Sequence, residues 1–392
     1  MGMRILILDW PALGNDDIRD SLKELGHETE YIAFSEEKDN CESFKKRLKD
    51  LLKVKSADAL FSFNYFPVVS DCCNEAGLRY ISWVYDSPYM NIYSYTVLNE
   101  VNSIYVFDYG VYEEFKNNGI KTVRYMPLGI NVKRLSKLKL THDTKTKYSA
   151  DISFVGSLYT ESKHNLYSKF DSVSDKTKGY LDAIIQSQMN IYGINILEEL
   201  ISDSILGELE KAYPTNPESP YVMSSKKIYS EYVFSRRVTA LERQKIISSI
   251  SGMSKVSGMI AKLYTHDNSV SYSGILNMGI CDYYKEMPYV FMASKINLNI
   301  TLRSIKTGIP LRALDILGCG GFLISNYQEE FFEYFSPGDD MVIYESVPDL
   351  MDKIRFYLKN DDERLRIAQN GRNKAFATLD QRSQLAKMIG EK

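Results

Sequence analysis

The sequence has few cysteines and histidines, and none of them has the spacing of a metal site. Its five cysteines are scattered without a CxxC pair, and its four histidines lie far apart. We therefore expect no divalent metal and no cofactor, and we expect reduced thiols. No apolar run is long enough to span a bilayer, and the opening MGMRILILDW predicts a β-strand rather than a signal peptide. These absences indicate a soluble, cytoplasmic protein.

The chain also lacks an excess of charge of either sign. It has 48 basic and 51 acidic residues, for a formal net charge of −3. This balance gives no reason to expect general attraction to nucleic acid or to an anionic membrane. Its 392 residues, 44% of them hydrophobic, are enough for two domains that each bury a core.

Strand and helix patterns alternate through the first 130 residues. Buried strand patterns such as Arg4–Asp9 and Arg79–Tyr85 are separated by helix patterns such as Asp16–Leu25 and Pro67–Ala76. Short βα repeats of this kind predict a parallel sheet covered on both faces. Residues 131–150 are polar and basic without a sustained period, so we interpret them as a link between domains or an exposed loop.

A second alternation begins at Asp151–Gly156 and is then interrupted by about ninety residues with helical patterns. We interpret residues 160–255 as a helical insertion in a second domain. Its helix patterns are Tyr180–Tyr192, Ile194–Leu209 and Ser235–Ser251. The later strand patterns are Met259–Thr265, Met278–Asp282, Lys295–Ile300, Gly321–Ser325 and Asp340–Tyr344. We predict an N-terminal domain of residues 1–130, joined by a C-terminal helix at 378–392, and a second domain of residues 131–377.

The most informative stretch is SKINLNITLRSIKTGIPLRALDILGCGG, residues 294–321. A strand pattern leads through the turn Gly308–Pro310 into a helix pattern that carries Arg312 and Asp315 near its start. A helix N-terminus and an arginine can hold a diphosphate, and a carboxylate can accept hydrogen bonds from ribose hydroxyls. The alternative is an ordinary βαβ unit with a solvated ion pair.

The pattern PxRxxDxxGCGG in this stretch resembles the nucleotide-binding segment of GT-B glycosyltransferases. It is most similar to CgeB-type spore maturation proteins and their glycosyltransferase-like relatives. The likeness recurs, in order, at Ile81–Ser94, Tyr125–Asn131, Ile152–Thr160 and Met287–Ser294. It implies an α/β protein of GT-B architecture, with two Rossmann-like parallel-sheet domains facing across a cleft. It also implies transfer of a sugar from a nucleoside diphosphate sugar, by preference a UDP-sugar, to a hydroxyl acceptor on a protein or glycan.

The expected donor residues follow strands of the second domain. Gly156 allows a phosphate to approach the backbone closely and Ser157 adds a hydroxyl, and the resemblance assigns this loop, with Tyr159, to the donor diphosphate. After the strand at 295–300, we expect Thr301 and Arg303 at the donor, although Arg303 can equally face solvent. The resemblance places Asp315 at the ribose, where relatives usually have Glu, and Arg312 is the favoured cation.

The expected catalytic residue is Asp86, which a Ser-Pro turn holds at the end of a strand. A carboxylate in that position can act as general base on an acceptor hydroxyl, with Asn64 and Asp108 on the acceptor side. The alternative is an Asx-type turn in which Asp86 bonds its own backbone. Many retaining relatives have a second acid about eight residues before the ribose acid. Lys306–Gly308 offers none there, which favours an inverting reaction.

Two other functions remain open for a chain of this kind. One is a nucleotide-sugar epimerase on the same fold, and the other is a non-catalytic spore or cell-surface assembly protein that keeps a GT-B scaffold. The helical insertion has open alternatives of its own, because it can recognise a large acceptor, form a homo-oligomer or only support the second domain.

Overall fold

The structure is a computed structural model that describes residues 2–35, 41–54, 56–161, 164–215 and 223–390. The chain divides into two compact units. The first comprises the described residues of Met1–Ser136 and Leu379–Lys392, and the second those of Lys137–Pro217 and Met223–Thr378. Within these described ranges, no helix is long and apolar enough to cross a membrane.

The first unit is built on a six-stranded parallel sheet with the strand order β2-β1-β3-β4-β5-β6. Its strands are β1 (Arg4–Asp9), β2 (Glu28–Ala33), β3 (Ala59–Phe63), β4 (Arg79–Val84), β5 (Asn102–Val106) and β6 (Val123–Tyr125). Its first helices are α1 (Asn15–Glu24), α2 (Cys41–Val54), α3 (Pro67–Ala76), α4 (Tyr109–Asn117) and α5 (Val132–Ser136). The central strands β3 and β5 are buried along their whole length, because helices cover both faces of the sheet.

The second unit is built on another six-stranded parallel sheet, with the order β12-β11-β10-β7-β8-β9. Its strands are β7 (Ala150–Val155), β8 (Ala261–Tyr264), β9 (Ile275–Asn277), β10 (Ser294–Asn299), β11 (Leu323–Asn326) and β12 (Val342–Tyr344). Its helices are α6 (His142–Tyr148), α7 (Asp175–Met189), α8 (Asp203–Ala212), α9 (Ser225–Lys227), α10 (Ser235–Ser257), α11 (Met287–Ala293), α12 (Leu311–Gly318), α13 (Phe331–Tyr334), α14 (Val347–Lys359) and α15 (Asp361–Thr378). A π-helical turn at Ile228–Phe234 leads directly into α10.

The helical insertion has a hydrophobic core of its own. Side chains such as Phe170, Leu181, Leu197 and Phe234 form a buried cluster separate from the core that packs against the second sheet. Helix α10 takes part in both cores, since its first half faces the insertion and its second half faces the sheet. The insertion is therefore a packed helical layer attached to the sheet through α10.

The last helix, α16 (Gln381–Gly390), belongs to the first unit, as the sequence predicts for a C-terminal helix. Arg79 on β4 donates hydrogen bonds to the carbonyl oxygens of Met388 (2.7 Å) and Ile389 (2.8 Å). Gln384 donates to the carbonyl oxygen of Pro127 (3.0 Å). These bonds cap the C-terminal end of α16 and fix it against the first sheet.

The predicted alternation of strands and helices and the two parallel sheets are confirmed, and four local expectations are wrong. Residues 131–150 are not a loop, because α5 and α6 form there and α6 begins with a Thr141–Thr144 capping box. The first unit extends to Ser136, since buried Asp17 accepts hydrogen bonds from Asn131 (2.8 Å) and Arg134 (2.9 Å).

The other two errors concern where elements begin. The helix expected at Ile194–Leu209 starts only at Asp203, because the side chain of Gln188 bonds the backbone of Ile194 and Ile196 and holds that segment non-helical. The strand expected at Met278–Asp282 lies earlier, at β9, whose register pairs Ile275 with Ala261.

Candidate functional site

Among the predicted donor residues, Gly156 at the end of β7 lies against Arg312 in the first turn of α12. A Cβ atom at Gly156 would lie 2.4 Å from a terminal nitrogen of the Arg312 guanidinium, so a larger residue there would have to displace that side chain. The backbone also favours glycine, because the φ angle of Gly156 is 150°. The sequence predicted both residues, and the structure brings them together at the carboxyl end of the second sheet.

The guanidinium of Arg312 has no hydrogen-bond or ion-pair partner in the part of the chain that the structure describes. It lies 5.5 Å from the ring centre of Phe154 on β7. Helix α12 begins after Pro310 without a side-chain cap, so its first N–H groups are uncapped as well. A cation with unused donors beside an uncapped helix N-terminus is a site suited to an anion.

A second arginine, Arg243 on α10, adds positive charge to this place. Its guanidinium is 2% exposed and donates to the carbonyl oxygens of Ser157 and Ile300, at the ends of β7 and β10. Burial lowers the pKa of Arg243. Burial and the nearby Arg243 charge together lower the pKa of Arg312 to about 10, which leaves it protonated at neutral pH. The two arginines repel each other, and a bound anion would relieve that repulsion.

Arg243 and its neighbour Glu242 are not among the site residues predicted from the sequence, although the sequence contains a signal for them. An acid and a base, Glu242 and Arg243, directly follow Ala240–Leu241 and come one turn before Ile246–Ile247 in the helix pattern TALERQKII. Both side chains are buried in α10, which predicts that they have partners. The helical insertion thus contributes side chains to the site at the carboxyl end of the second sheet.

Asp315 lies one turn after Arg312 on the buried face of α12. Its carboxylate accepts a hydrogen bond from the hydroxyl of Tyr283 (3.2 Å) and attracts the Arg312 charge. The ring of Tyr283 meets that of Tyr284 edge-on at 4.9 Å. A carboxylate held by a tyrosine next to an arginine can accept hydrogen bonds from sugar hydroxyls.

The loop after Gly156 is held by its own side chains. The Ser157 hydroxyl donates to Glu161 (3.0 Å) and accepts from the N–H of Tyr159 (2.9 Å). Tyr159 has a positive φ of 55°, and its ring lies 4.8 Å from the Arg243 guanidinium. Ser157 and Tyr159 therefore surround the arginine pair and fix the loop that passes it.

Thr301 and Arg303 are bonded to the protein itself. The hydroxyl of buried Thr301 accepts a hydrogen bond from Asn299 (2.9 Å). Arg303 donates through Nε to Glu242 (2.7 Å) and through its other nitrogens to the carbonyl oxygens of Ile191 and Met189. The guanidinium also lies 3.8 Å from the ring centre of Tyr192. Its role is to anchor the insertion, and a role at the donor stays a prediction.

In the first unit, the structure brings Asn64 and Asp86 together at the ends of β3 and β4. The side-chain amide of Asn64 donates to Asp86 Oδ2 (2.7 Å), and its oxygen accepts from the N–H of Tyr85 (3.1 Å). Asn64 is buried with a positive φ of 55°, whereas Asp86 is exposed. An exposed carboxylate fixed by a buried amide is available to an outside hydroxyl.

Asp108 lies at the end of the neighbouring strand β5 and is 1% exposed. It accepts a hydrogen bond from the hydroxyl of Ser87 (3.0 Å), next to Asp86 in the chain. A cavity of about 10 Å³ lies between them, which is room for about one water. Asp108 therefore supports the turn that carries Asp86.

Within the described ranges, no group of three histidine, cysteine or acidic side chains is placed to hold a metal ion. The expectation that the protein works without a metal stays a prediction. The polar residues at the carboxyl end of the second sheet supply positive charge from arginines instead.

Comparisons with known proteins bear on both the fold and the site. Residues 265–389, which include α12, match the model of the Glycosyl transferase-like family. No curated protein sequence matches the chain. Among solved structures, a glycosyltransferase from Rickettsia africae ESF-5 is similar over the whole of both chains, with 10% identity and a TM-score of 0.59.

Two further solved structures are similar over nearly their whole length. Sucrose-phosphate synthase from Thermosynechococcus elongatus has 10% identity and a TM-score of 0.53, with 99% of this chain and 97% of that chain covered. HepE from Anabaena in complex with UDP-glucose has 11% identity and a TM-score of 0.52, with 99% and 98% covered. With two six-stranded parallel sheets, the chain has the GT-B fold, as the sequence predicted.

Proposed function

We propose that the protein is a glycosyltransferase that moves a sugar from a nucleoside diphosphate sugar to a hydroxyl acceptor. The observation that carries this proposal is the pair of arginines at the carboxyl end of the second sheet. Arg312 has unused N–H donors and a pKa lowered by burial and by Arg243, and it lies against Gly156 next to an uncapped helix N-terminus. Such a site gains most from a ligand with two or more negative charges, as a diphosphate has.

The donor fits the remaining polar groups of the same site. The diphosphate would contact Arg312 and the backbone at Gly156, and the ribose hydroxyls would donate to Asp315, which Tyr283 orients. The match of residues 265–389 to the Glycosyl transferase-like family supports this arrangement. UDP is the preferred nucleotide, in line with the structure of HepE in complex with UDP-glucose.

The acceptor hydroxyl would lose its proton to Asp86 of the first unit. Its oxygen attacks the anomeric carbon of the donor, the bond from that carbon to the diphosphate oxygen breaks, and the proton passes to the Asp86 carboxylate. Asn64 holds this carboxylate in place through one oxygen. The positive charge of Arg312 stabilises the leaving diphosphate without a metal ion. A single displacement of this kind inverts the anomeric centre.

Isothermal calorimetry with UDP, GDP and ADP tests the donor site. We expect one of the diphosphates to bind, and we expect Arg312→Glu to abolish that binding because it places a negative charge against the phosphates. Arg355→Glu is the matched control, since Arg355 is exposed on α14 and pairs only with Asp352 among the described residues. The proposal is wrong if no nucleoside diphosphate binds, or if Arg312→Glu binds as the wild type does.

Product analysis tests the reaction itself. Incubation with UDP-sugars alone should release UDP and free sugar slowly, because water can replace the acceptor. An epimerase would instead return a second UDP-sugar, and an assembly protein would bind donor without consuming it. A second UDP-sugar as product is not compatible with a transferase. The similarity to CgeB-type spore maturation proteins stays a sequence prediction and carries no part of this proposal.

A further inference from the structure

A second pocket, of about 290 Å³, lies between the helical insertion and the loops that follow β10 and β11. All of its walls belong to the second unit. One side is the non-helical segment of the insertion that Gln188 holds in place, and the opposite side is formed by the loops at residues 302–307 and 326–328. None of Gly156, Arg243, Arg312 and Asp315 lines it. The pocket is therefore distinct from the arginine pair.

The insertion wall contains the π-helical turn at Ile228–Phe234. Such turns are rare and occur frequently at functional sites. This one presents Ser230 and Glu231 to the pocket, and Glu231 forms an ion pair with Lys306 on the opposite wall (3.3 Å). The charges across the pocket are thus balanced, which disfavours a strongly anionic ligand such as a diphosphate.

Four polar groups that line the pocket have no partner in the described ranges. The Asn326 side chain is 2% exposed; its oxygen accepts from the Thr301 N–H (2.8 Å), whereas its NH₂ group is unused. The Gln328 side chain donates to the Ile305 carbonyl oxygen and leaves its own oxygen unused.

The other two unpartnered groups are the hydroxyl of Tyr327 and the carboxylate of Glu198. The Tyr327 ring stands on the edge of the pocket, so close to Gly193 that a Cβ there would lie 3.0 Å from it. The unused groups are therefore an amide donor, an amide acceptor, a hydroxyl and a carboxylate, arranged beside an aromatic ring.

This combination suits a molecule that carries several hydroxyl groups. Each hydroxyl both donates and accepts, so it can pair with amide, phenol and carboxylate groups at once. The volume is near the lower limit for ligand pockets, roughly 300 Å³, which fits one sugar ring better than a nucleotide. The NH₂ group of Asn326 is a donor with a fixed direction on the pocket wall, because the oxygen of the same amide accepts from the Thr301 N–H.

We propose that this pocket binds a saccharide unit of the acceptor, which is then a glycan. The assignment to an acceptor rests on the proposed transferase function, but the binding of a saccharide does not. The insertion would thus select the acceptor in the same unit that holds the donor, through hydrogen bonds to amide, phenol and carboxylate groups. Arg312 and Arg243 are absent from the walls of this pocket, and Arg303, which lines it, is already paired with Glu242.

Saturation-transfer NMR with the methyl glycosides of glucose, galactose, mannose and N-acetylglucosamine tests the pocket in the full-length protein. We expect saturable binding of at least one of them. The double variant Glu198→Ala/Tyr327→Phe removes two unused groups without removing a protein contact, and should weaken that binding about tenfold or more. Glu199→Ala is the matched control, because Glu199 is the exposed neighbour that does not line the pocket.

Competition then separates the acceptor from the donor. Saturating UDP should leave the glycoside signal unchanged, and Arg312→Glu should lose UDP binding while it keeps glycoside binding. The inference is overturned if no glycoside binds saturably, if the double variant binds as tightly as Glu199→Ala, or if UDP displaces the glycoside. Failure of the proposed function alone would appear differently, as glycoside binding by a protein that binds no nucleoside diphosphate. Thermal unfolding of the double variant confirms that it is folded.

Discussion

The carboxyl ends of the two sheets carry polar side chains of opposite kind. In the first unit, carboxylates follow β4 and β5, and each of them is bonded to a neighbour: Asp86 to Asn64 and Asp108 to Ser87. In the second unit, two arginines lie at the ends of β7 and β10, and one of them, Arg312, has no such partner among the described residues. The same backbone plan thus presents a fixed base in one unit and an open cation in the other.

In the proposed reaction, the two units would supply different chemical groups. A carboxylate that accepts a proton must be oriented, and the hydrogen bond from a buried amide contributes to this at Asp86, which stays exposed. A cation that binds phosphate must keep its donors unused until the ligand arrives. Hydrogen-bond partners within the protein thus help to orient the carboxylate of the first unit, whereas such partners would occupy the donors that the arginine of the second unit needs for phosphate.

Replacing the carboxylate is expected to have the largest effect. Asp86→Asn keeps the size of the side chain and can still accept from Asn64, but it cannot take up a proton. Turnover should fall by about 10²–10⁴-fold while donor affinity stays constant. Initial rates and calorimetry measure the two quantities, with Glu113→Gln, an exposed acid on α4, as control. Near-normal turnover would remove Asp86 from the mechanism and leave it a turn residue.

Within the second unit, Arg303 and Arg312 should differ sharply in what they contribute to stability. Arg303→Met leaves Glu242 buried without its cation, which should lower the free energy of unfolding by about 3–5 kcal/mol. Arg312→Met removes a charge with no partner among the described residues, so it should change that free energy by less than about 1 kcal/mol. Urea unfolding measures both. Equal losses would contradict the distinction, and adding Glu242→Gln to Arg303→Met should restore part of the stability.

A smaller effect is expected from a substitution at Gly156, where the backbone lies against Arg312. Gly156→Ala places a methyl group on the guanidinium and must displace it, which should weaken UDP binding by roughly tenfold or more through the loss of a charged hydrogen bond. Calorimetry measures the change. Gly179→Ala is the control, since a Cβ at that helical position meets nothing within 4 Å. UDP binding equal in both variants would show that Arg312 does not need its present position.

The smallest effect is expected from metal removal. If the arginines alone stabilise the leaving diphosphate, dialysis against EDTA should leave turnover unchanged, because no metal charge is lost. Rates before and after chelation, and after Mg²⁺ is added back, provide the measurement. Activity that disappears with EDTA and returns with Mg²⁺ would place part of the positive charge on a metal ion.

The sequence predicted the sheets well because burial in a parallel sheet imposes a simple pattern. Strands such as β3 are apolar runs bounded by turns, and the stretch around Arg312 has strand, turn and helix in the expected order. Errors arose where a side chain replaces the backbone partners of a helix, as Gln188 does. That contact joins the helix predicted at Tyr180–Tyr192 to the start of the one predicted at Ile194–Leu209, and a periodic pattern does not show contacts of this kind.

The sequence favoured Arg312 over Arg303, nine positions earlier, but it did not predict that Arg303 is already paired within the protein. The difference comes from Glu242 on α10, some sixty residues earlier, whose carboxylate reaches Arg303 and not Arg312. Pairings over such a separation depend on how the insertion packs on the sheet. Local patterns therefore locate candidate residues, and tertiary packing decides which of them stay available.

The position of α16 has a consequence for the order in which the protein forms. This helix is packed on β4 of the first unit, but the ribosome makes it only after every residue of the second unit. Domains usually fold as they emerge, the N-terminal one first. Here the first sheet remains without α16 while the second unit is synthesised and folds. During that time Arg79 lacks its hydrogen bonds to Met388 and Ile389. The unit that begins first is thus the last to be completed.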